Sequence, residues 1–168
     1  MRNAFVIREF QPSDADACFQ IRVDAFLSKF YGHLGPNSIT AAVNACMPLD
    51  YIRMAETMPV FVAADGLEPI GFAVLKWSGG KEAEIYFLYV RLDRIGNGIG
   101  SGLVRTVENW LRENRPEIER VTASTAVPLL NQVFYEKIGF HRCGESRKDS
   151  PDGPVHVVHF AKNLMQEL

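Results

Sequence analysis

The feature that most constrains the fold is a strand, a glycine-rich loop and a helix that follow one another between residues 84 and 111. The segment EIYFLYV is rich in β-branched and aromatic residues, which is typical of a strand. The loop RIGNGIGSG, residues 94–102, carries four glycines at alternating positions. Apolar residues then recur at helical spacing up to Leu111. A helix N-terminus offers unpaired backbone N–H groups, and neighbouring glycines allow close approach, so the loop favours a phosphate ligand.

Three common glycine motifs do not match this loop. A dinucleotide fingerprint needs a glycine at position 101 or 103, which are Ser101 and Leu103, and no Gly-Lys-Ser/Thr follows for a P-loop. A nucleophile elbow needs glycines two residues on either side of Ser101, where the chain has Ile99 and Leu103. A purely structural loop stays open as an alternative, although each glycine costs roughly 0.5–1 kcal/mol relative to alanine inside regular structure.

The other segments predict an α/β chain. The sequence begins with a strand, AFVIREF, and a helix, QPSDADACFQIRVDAF, followed by residues 36–58, which are helical in pattern but interrupted at Pro48. VFVAAD and IGFAVLKW form a predicted hairpin, and EIYFLYV continues it as a third antiparallel strand. RVTAST is a further strand, PLLNQVFYEKIG a helix, and FHRCGES and VHVVHF two more strands.

Length and charge narrow the class of protein. At 168 residues and 47% hydrophobic content, the chain can build one sizeable core, so we expect a single domain over residues 1–168. A net charge of −2 and the absence of a long basic run argue against nucleic acid or an anionic membrane as partner. The sequence contains no signal-peptide core and no apolar stretch of membrane-spanning length, which favours a cytoplasmic protein.

The cysteines and histidines predict neither a disulfide framework nor a metal site. Cys18, Cys46 and Cys143 are odd in number and unrelated in spacing, so we interpret them as buried thiols. His156 and His159 are three apart on a predicted strand and therefore point to opposite faces of the sheet. Residues 91–115, in contrast, hold five arginines against three acidic residues, a local excess of positive charge that suits an anion.

Two segments together resemble the GNAT superfamily of acetyl-CoA-dependent N-acetyltransferases. They are EIYFLYVRLDRIGNGIGSGLVRTVENWL and, some 30 residues later, VFYEKIGF. The family carries R/Q-x-x-G-x-G/A after its central strand, and here the glycines fall on Gly98 and Gly100, with Ile95 at the Arg/Gln position and Arg94 one residue before it. The resemblance implies a mixed, mostly antiparallel twisted sheet of six to seven strands flanked by about four helices.

The resemblance also implies a set of cofactor-binding residues. Backbone groups of the loop would hold the acetyl-CoA pyrophosphate, the central strand would contact the rest of the cofactor, and a later helix would supply an amide and a phenol. The residues are Leu88, Tyr89, Val90, Arg94, Ile95, Gly96, Asn97, Gly98, Ile99, Gly100, Ser101, Asn131 and Tyr135. The central strand of the family diverges from its neighbour, so a backbone N–H near Leu88–Val90 would polarise the acetyl carbonyl.

Acetyl transfer needs a neutral amine and a proton for the departing thiolate. A lysine-type amine has a pKa of about 10.4, so a base or a water chain is expected. The resemblance assigns the acid role to Tyr135, which shares a helix face with Asn131, and the base role to Glu84. Tyr86 and Asp50 are weaker candidates for the base, and a water chain stays equally open. We expect direct attack by the amine rather than transfer through Cys143.

The acceptor is the least constrained part of the prediction. It is a primary amine of a small molecule, a peptide or a protein, and residues 27–58 and 146–154 are expected to shape its site. Tyr31 and His33 are candidate contacts there, although packing in the core accounts for both. Two rival functions stay open, a non-catalytic acyl-CoA-binding module of the same fold and another nucleotide-dependent enzyme. Relatives in the family often dimerise, so a homodimer is compatible with the resemblance.

Overall fold

Seven strands form one mixed sheet in the order β1-β2-β3-β4-β5-β7-β6. The computed structural model describes residues 4–30, 33–77, 79–126 and 128–165. Its strands are β1 (Val6–Glu9), β2 (Val60–Asp65), β3 (Glu68–Lys76), β4 (Glu82–Val90), β5 (Arg120–Thr125), β6 (His141–Lys148) and β7 (Val155–Asn163). Every neighbouring pair is antiparallel except β4 and β5, which run parallel. The predicted antiparallel run from β2 to β4 is confirmed, as is the number of strands.

Five α-helices flank this sheet among the described residues, where about four were expected. They are α1 (Ala15–Ala25), α2 (Pro36–Asn44), α3 (Pro48–Thr57), α4 (Ile99–Asn114) and α5 (Pro128–Lys137). Pro48 stands in the first turn of α3, where its missing N–H has no intrahelical partner to lose, so the interruption in the 36–58 pattern is a helix start. None of the helices in the part of the chain described is long and apolar enough to cross a bilayer.

The two faces of the sheet carry separate apolar layers. On one face, α4 buries Leu103, Val107 and Leu111 against the inward-facing side chains of the strands, and the α5 residue Tyr135 joins the same layer. On the other face, α1 and α3 cover the sheet around Tyr51 and Phe72, whose rings meet edge to face at 5.5 Å between centroids. The sheet is therefore a middle layer with helices packed against both of its faces.

Two predictions about single residues are corrected by this arrangement. Cys18 and Cys46 are buried as expected, but Cys143 is exposed because it lies on β6 at the edge of the sheet, at the point where the register with β7 shifts. His33 is also exposed, so packing in the core does not account for it. Tyr31, its companion in that prediction, lies outside the described residues.

Candidate active site

The site begins where strands β4 and β5 separate. Their parallel pairing runs from Glu82 opposite Arg120 to Ile85 opposite Ala123 and ends there, although β4 continues to Val90. On its other edge, β4 carries one extra residue at this point, because β3 pairs Val74 with Phe87 but the adjacent Leu75 with Ile85. A bulge bends and twists a strand. The backbone edge of β4 beyond Ile85 is therefore left without a strand partner on the β5 side, which is the divergence expected near Leu88–Val90.

Two cavities lie along this separation and meet. The loop groove, about 520 Å³, follows residues 94–101 and the side of α5. The inner cavity, about 170 Å³, lies on the side of the C-terminal end of α1, where Phe26 contributes to its wall. Four residues line both spaces: Leu88, Val90, Asn131 and Tyr135. A molecule in the groove would therefore reach the inner cavity beside the Tyr135 side chain.

The glycine loop forms an open cradle at the head of α4. Gly96 and Gly98 adopt positive φ angles of 86° and 78°, and a Cβ at either position would point into open space. Gly98 is the N-cap of α4, and no hydrogen bond among the described residues uses the backbone N–H groups of Ile99, Gly100 or Ser101. Such N–H groups at a helix N-terminus, together with the helix dipole, suit a phosphate.

The cradle fits a narrow, partly apolar ligand. At Gly100 a Cβ would stand 3.1 Å from the Phe134 ring, so the absence of a side chain keeps the groove open at its narrowest flank. Ile95, 48% exposed, lines the groove as an apolar wall. Asn97 does not line it, and its side-chain amide donates to the Arg94 carbonyl at 3.0 Å, which fixes the turn. Among the predicted loop residues, Gly100 therefore keeps the cradle open, Ile95 forms its apolar wall and Asn97 fixes the turn.

The two arginines that flank the start of the loop are paired, in part with acidic residues that the local sequence count does not include. Arg94 lines the groove, but its guanidinium pairs with Asp65 of β2 at 2.7 Å. Arg91 contacts both Asp93 and Glu68, and this raises the pKa of Arg91 and lowers that of Asp93. Backbone N–H groups, rather than the paired side chains of Arg91 and Arg94, are therefore the groups that the cradle offers to an anion.

Tyr135 is a buried phenol at the junction of the two cavities. Its ring stacks on Phe160 and packs edge to face against Phe134 and Phe140, at centroid distances of 5.2 to 5.4 Å. Burial, with a smaller contribution from Tyr89, raises the pKa of Tyr135, so the hydroxyl keeps its proton at neutral pH. No hydrogen bond joins that hydroxyl to any described residue. It is thus available to a ligand at the junction.

Asn131 holds helix α5 against the end of β5. Its amide Nδ2 donates to the Thr125 hydroxyl at 2.9 Å, immediately before the chain turns into the helix. Asn131 and Tyr135 line the same two cavities, as their spacing of four residues on a helix predicts. The contact fixes the start of the helix that carries Tyr135.

The residues predicted for the base role do not converge on the junction. Glu84 lies on β4 before the bulge, lines neither cavity, and has no hydrogen-bond or ion-pair partner among the described residues. Tyr86 lines the inner cavity, with its ring stacked on Phe87 and the Lys76 ammonium 5.0 Å from its centroid. Asp50 accepts the Met47 N–H at 2.8 Å and so caps α3. Tyr89 lines the inner cavity but not the loop groove.

The two segments predicted to shape the acceptor site contact each other. The Asp152 carboxylate, in the loop between β6 and β7, accepts the Ser38 backbone N–H at 2.8 Å and the Asn37 amide at 2.9 Å. It therefore caps the first turn of α2, and the bond from the Ser38 N–H is the main reason that the pKa of Asp152 is lowered. A Cβ on Gly35 would collide with the same carboxylate, so this close docking depends on glycine there.

A groove between two diverging parallel strands, with a helix N-terminus along it and a buried phenol at its inner end, has the form expected of an acyltransferase. A profile of the acetyltransferase (GNAT) family matches residues 21–140, and the chain belongs to that family. It is therefore an acetyl-CoA-dependent acetyltransferase. No curated protein matches the sequence significantly.

Solved structures share the fold across nearly the whole chain. The PaiA N-acetyltransferase of Thermoplasma acidophilum, in complex with coenzyme A, aligns with a TM-score of 0.77 at 16% identity, over 95% of this chain and 99% of that one. YncA of Salmonella typhimurium, with acetyl-CoA, aligns at 0.69 and 17% identity, over 98% and 96%. The ribosomal-protein-S18-alanine N-acetyltransferase of Escherichia coli aligns at 0.68 and 17%, over 98% and 97%. At these identities the likeness establishes the fold alone.

Proposed function

We propose that the chain transfers the acetyl group of acetyl-CoA to a primary amine of a small molecule, a peptide or a protein, by direct attack of the amine. The observation that carries this proposal is the junction of the two cavities at Leu88, Val90, Asn131 and Tyr135. The loop groove would take the donor from one side, and the inner cavity would admit the amine from the other. The transfer would occur beside Tyr135.

The cradle and the strand edge would position the donor. Bound acetyl-CoA supplies an acetyl group activated as a thioester. The N–H groups at the start of α4 would bind its pyrophosphate, with Gly98 and Gly100 leaving room for close approach. The unpaired backbone edge between Leu88 and Val90 would hold the pantetheine arm and place an N–H donor near the acetyl carbonyl. Asn131 is suited to hold the same arm beside the sulfur.

Tyr135 would donate a proton to the departing thiolate. Its hydroxyl is protonated at neutral pH and has no competing hydrogen bond among the described residues. Three aromatic neighbours fix its ring, so little side-chain freedom is lost on donation. We retain Glu84 as a candidate base because it lies on the sheet face opposite α4, two residues before Tyr86, which lines the cavity.

A route through an acetylated cysteine is disfavoured by the positions of the thiols. Burial raises the pKa of both the Cys18 and the Cys46 thiol, which opposes formation of the reactive thiolate. Neither of them, nor the exposed Cys143, lines either cavity. The amine would therefore attack the donor directly.

The remaining expectations belong to the same proposal. We assign residues 1–168 to one domain, supported by a sheet that continues without interruption from β1 to β6. We place the protein in the cytoplasm, where its three free thiols would stay reduced. A homodimer is compatible with β6, which occupies one edge of the sheet.

The test is amine-dependent release of thiol from acetyl-CoA, with a panel of polyamines, amino acids, aminoglycosides and short peptides. Tyr135→Phe removes one hydroxyl and is expected to lower kcat by roughly 10²–10⁴-fold, the usual contribution of a positioned proton donor. Tyr51→Phe deletes the same atom from a buried ring that lines neither cavity, and serves as the matched control.

Calorimetry with coenzyme A separates binding from catalysis. Equal affinity of wild type and Tyr135→Phe, together with the loss of turnover, would support the acid role. Equal kcat in the two proteins would refute that role. Binding of coenzyme A without amine-dependent release across the panel would favour the non-catalytic acyl-CoA-binding module, and absence of binding would refute the assignment of the groove.

A further inference from the structure

The inner cavity has no evident base in its wall. An amine that is protonated in water must lose a proton before it attacks, because only about one lysine-type amine in a thousand is neutral near pH 7.4. The described residues that line the inner cavity carry phenols, hydroxyls, an amide and apolar groups, but no carboxylate and no imidazole. A base reached through one of these polar groups would take the proton of the amine.

One hydroxyl of the wall leads to an imidazole. Ser124 lies near the end of β5, lines the inner cavity, and stands 2.8 Å from Nδ1 of His159. The other ring nitrogen, Nε2, lies 2.7 Å from the Ser146 hydroxyl. The three side chains cross neighbouring strands β5, β7 and β6, with Ser124 directly opposite His159 in the register. Ser146 is exposed, so the chain of hydrogen bonds runs from the cavity to solvent.

We propose that His159 accepts the proton of the amine through the Ser124 hydroxyl and releases it to solvent at Ser146. The proposal rests on the acetyltransferase function proposed above. In the first step an N–H bond of the ammonium breaks, its electron pair stays on nitrogen, and the proton moves to Ser124 while the proton of Ser124 moves to His159 Nδ1. The neutral nitrogen then forms the bond to the acetyl carbon, and the C–S bond breaks.

His159 and Tyr135 together account for every proton that moves in the reaction. The ammonium loses two protons in becoming an amide: one leaves through His159, and the other replaces the proton that Tyr135 gives to the sulfur. The products are the amide, the free thiol and one proton in solvent. No oxidant, metal or additional reactant is needed.

The two serine partners satisfy both protonation states of the imidazole. In the neutral tautomer that the proposed transfer requires, Nδ1 accepts from Ser124 and the Nε2 hydrogen is donated to Ser146, and a hydroxyl can play either part. In the charged form both ring nitrogens donate, and both serine oxygens can accept. His156 differs, since its Nε2 contacts the Glu145 carboxylate at 2.8 Å on the opposite face of the sheet. It therefore provides a matched control three residues away.

The charged groups on the same sheet face as His159 are few. The strand registers place no other charged or titratable residue of β7 on that face. They place five there from β4, β5 and β6, which are Glu82, Glu84, Arg120, His141 and Lys148. Arg120 pairs with Glu82 at 3.0 Å. Glu84 lies opposite Thr122 and makes no ion pair among the described residues, so it is the rival base.

The experiment is the pH profile of kcat/KM from pH 6 to 10 with an amine acceptor from the panel. His159→Gln and Ser124→Ala are each expected to lose roughly 10²-fold at pH 7, within the usual contribution of a general base. The loss should shrink to a few-fold near pH 10, because roughly 30% of a lysine-type amine with a pKa of about 10.4 is then neutral without help, against less than about 0.1% at pH 7. His156→Gln should follow the wild-type profile, and affinity for coenzyme A should be unchanged in all variants.

The outcomes separate this proposal from its alternatives. A loss in His159→Gln that is the same at every pH would mark a structural role and overturn the proposal. So would a recovering loss in Glu84→Gln with a wild-type profile in His159→Gln. Should His159→Gln fail to fold, Ser124→Ala tests the same step with the imidazole in place. Absence of amine-dependent release in the wild type would overturn the proposed function itself, and this inference with it.

Discussion

A buried ion pair behind helix α5 gives the sharpest prediction about stability. The Glu108 carboxylate on α4 is only 5% exposed, and the Lys162 ammonium on β7 lies 2.8 Å from its Oε1. The alignment is not that of a directed hydrogen bond, so the contact is mainly one of charge. Lys162 also donates to the Ile138 carbonyl at 2.8 Å, just beyond the end of α5. Lys162 therefore links the end of α5, the helix that carries Tyr135, to α4 and β7.

Lys162→Met removes the cation and leaves the Glu108 charge buried. Breaking a buried pair on one side costs about 3–5 kcal/mol. Arg112, 3.9 Å from the other oxygen of Glu108, offsets part of that loss, and Lys162 itself is 25% exposed, so we expect the lower end, about 3 kcal/mol. For a chain of 168 residues, each kcal/mol lowers Tm by about 2–4 °C, which gives a decrease of about 6–12 °C.

Thermal unfolding of four proteins tests this reasoning: wild type, Glu108→Met, Lys162→Met and the double variant. The double variant should recover most of the loss, because it replaces both charges with apolar side chains. Lys81→Met is the control, since Lys81 and Glu119 form a 2.6 Å pair with side chains 70% and 43% exposed, worth at most about 1 kcal/mol. Equal decreases in Tm for Lys162→Met and Lys81→Met would refute the argument, as would a double variant no more stable than Lys162→Met.

Two further predictions concern pH and the groove. Burial raises the pKa of Cys18, Tyr51 and Tyr135, so the native state binds more protons than the unfolded state at alkaline pH. In urea unfolding, the contribution of these groups to the free energy of unfolding should be fully present at pH 7 and should fall above about pH 9. Each group loses about 1.4 kcal/mol per pH unit once its unfolded pKa is passed. A free energy of unfolding that stays constant up to pH 11 would contradict this. Gly100→Val should place a side chain against the Phe134 ring, narrow the groove and weaken coenzyme A binding roughly tenfold by calorimetry, which is about 1.4 kcal/mol of binding free energy. Unchanged affinity would contradict the assignment of the groove.

The helix–loop part of the site was predictable because its signals are local. Positive φ angles at Gly96 and Gly98, the N-cap at Gly98 and the helical spacing up to Leu111 all depend on residues within one or two turns of each other. The same holds for Asn131 and Tyr135, whose shared helix face follows from their spacing alone. Short-range steric and hydrogen-bonding rules decide these features, so one sequence is enough.

The separation of β4 from β5 was not predictable from the residues in the same way. It depends on the extra residue that β4 places opposite β3 at Val74 and Leu75, and on the end of pairing at Ile85. Nothing in EIYFLYV marks the bulge, because its residue types suit a regular strand equally well. Here the expectation came from the resemblance, and the register of three strands decides the geometry.

The count of charged residues near the loop did not predict free arginine side chains correctly, for a related reason. The excess of arginine between residues 91 and 115 is real in the sequence, but Asp65 and Glu68, which neutralise Arg94 and Arg91, come from the β2–β3 hairpin. A window along the chain cannot include partners that the sheet brings from 23 and 29 residues away. Backbone N–H groups at a helix N-terminus have no such dependence, so the glycine pattern is the firmer basis for the proposed anion site.

Strand alternation predicts the sheet faces of the two histidines of β7 but not the groups that they contact. Their spacing correctly separates His156 from His159 onto opposite faces, and this argues against a shared metal. It says nothing about their partners, which lie 11 residues away for Glu145, 13 for Ser146 and 35 for Ser124. One imidazole is thereby placed against a carboxylate, and the other between two hydroxyls at the edge of the inner cavity. Cross-strand register therefore decides which groups a strand residue contacts, and with them its chemistry. Candidates for the base of this enzyme are best identified from those cross-strand contacts.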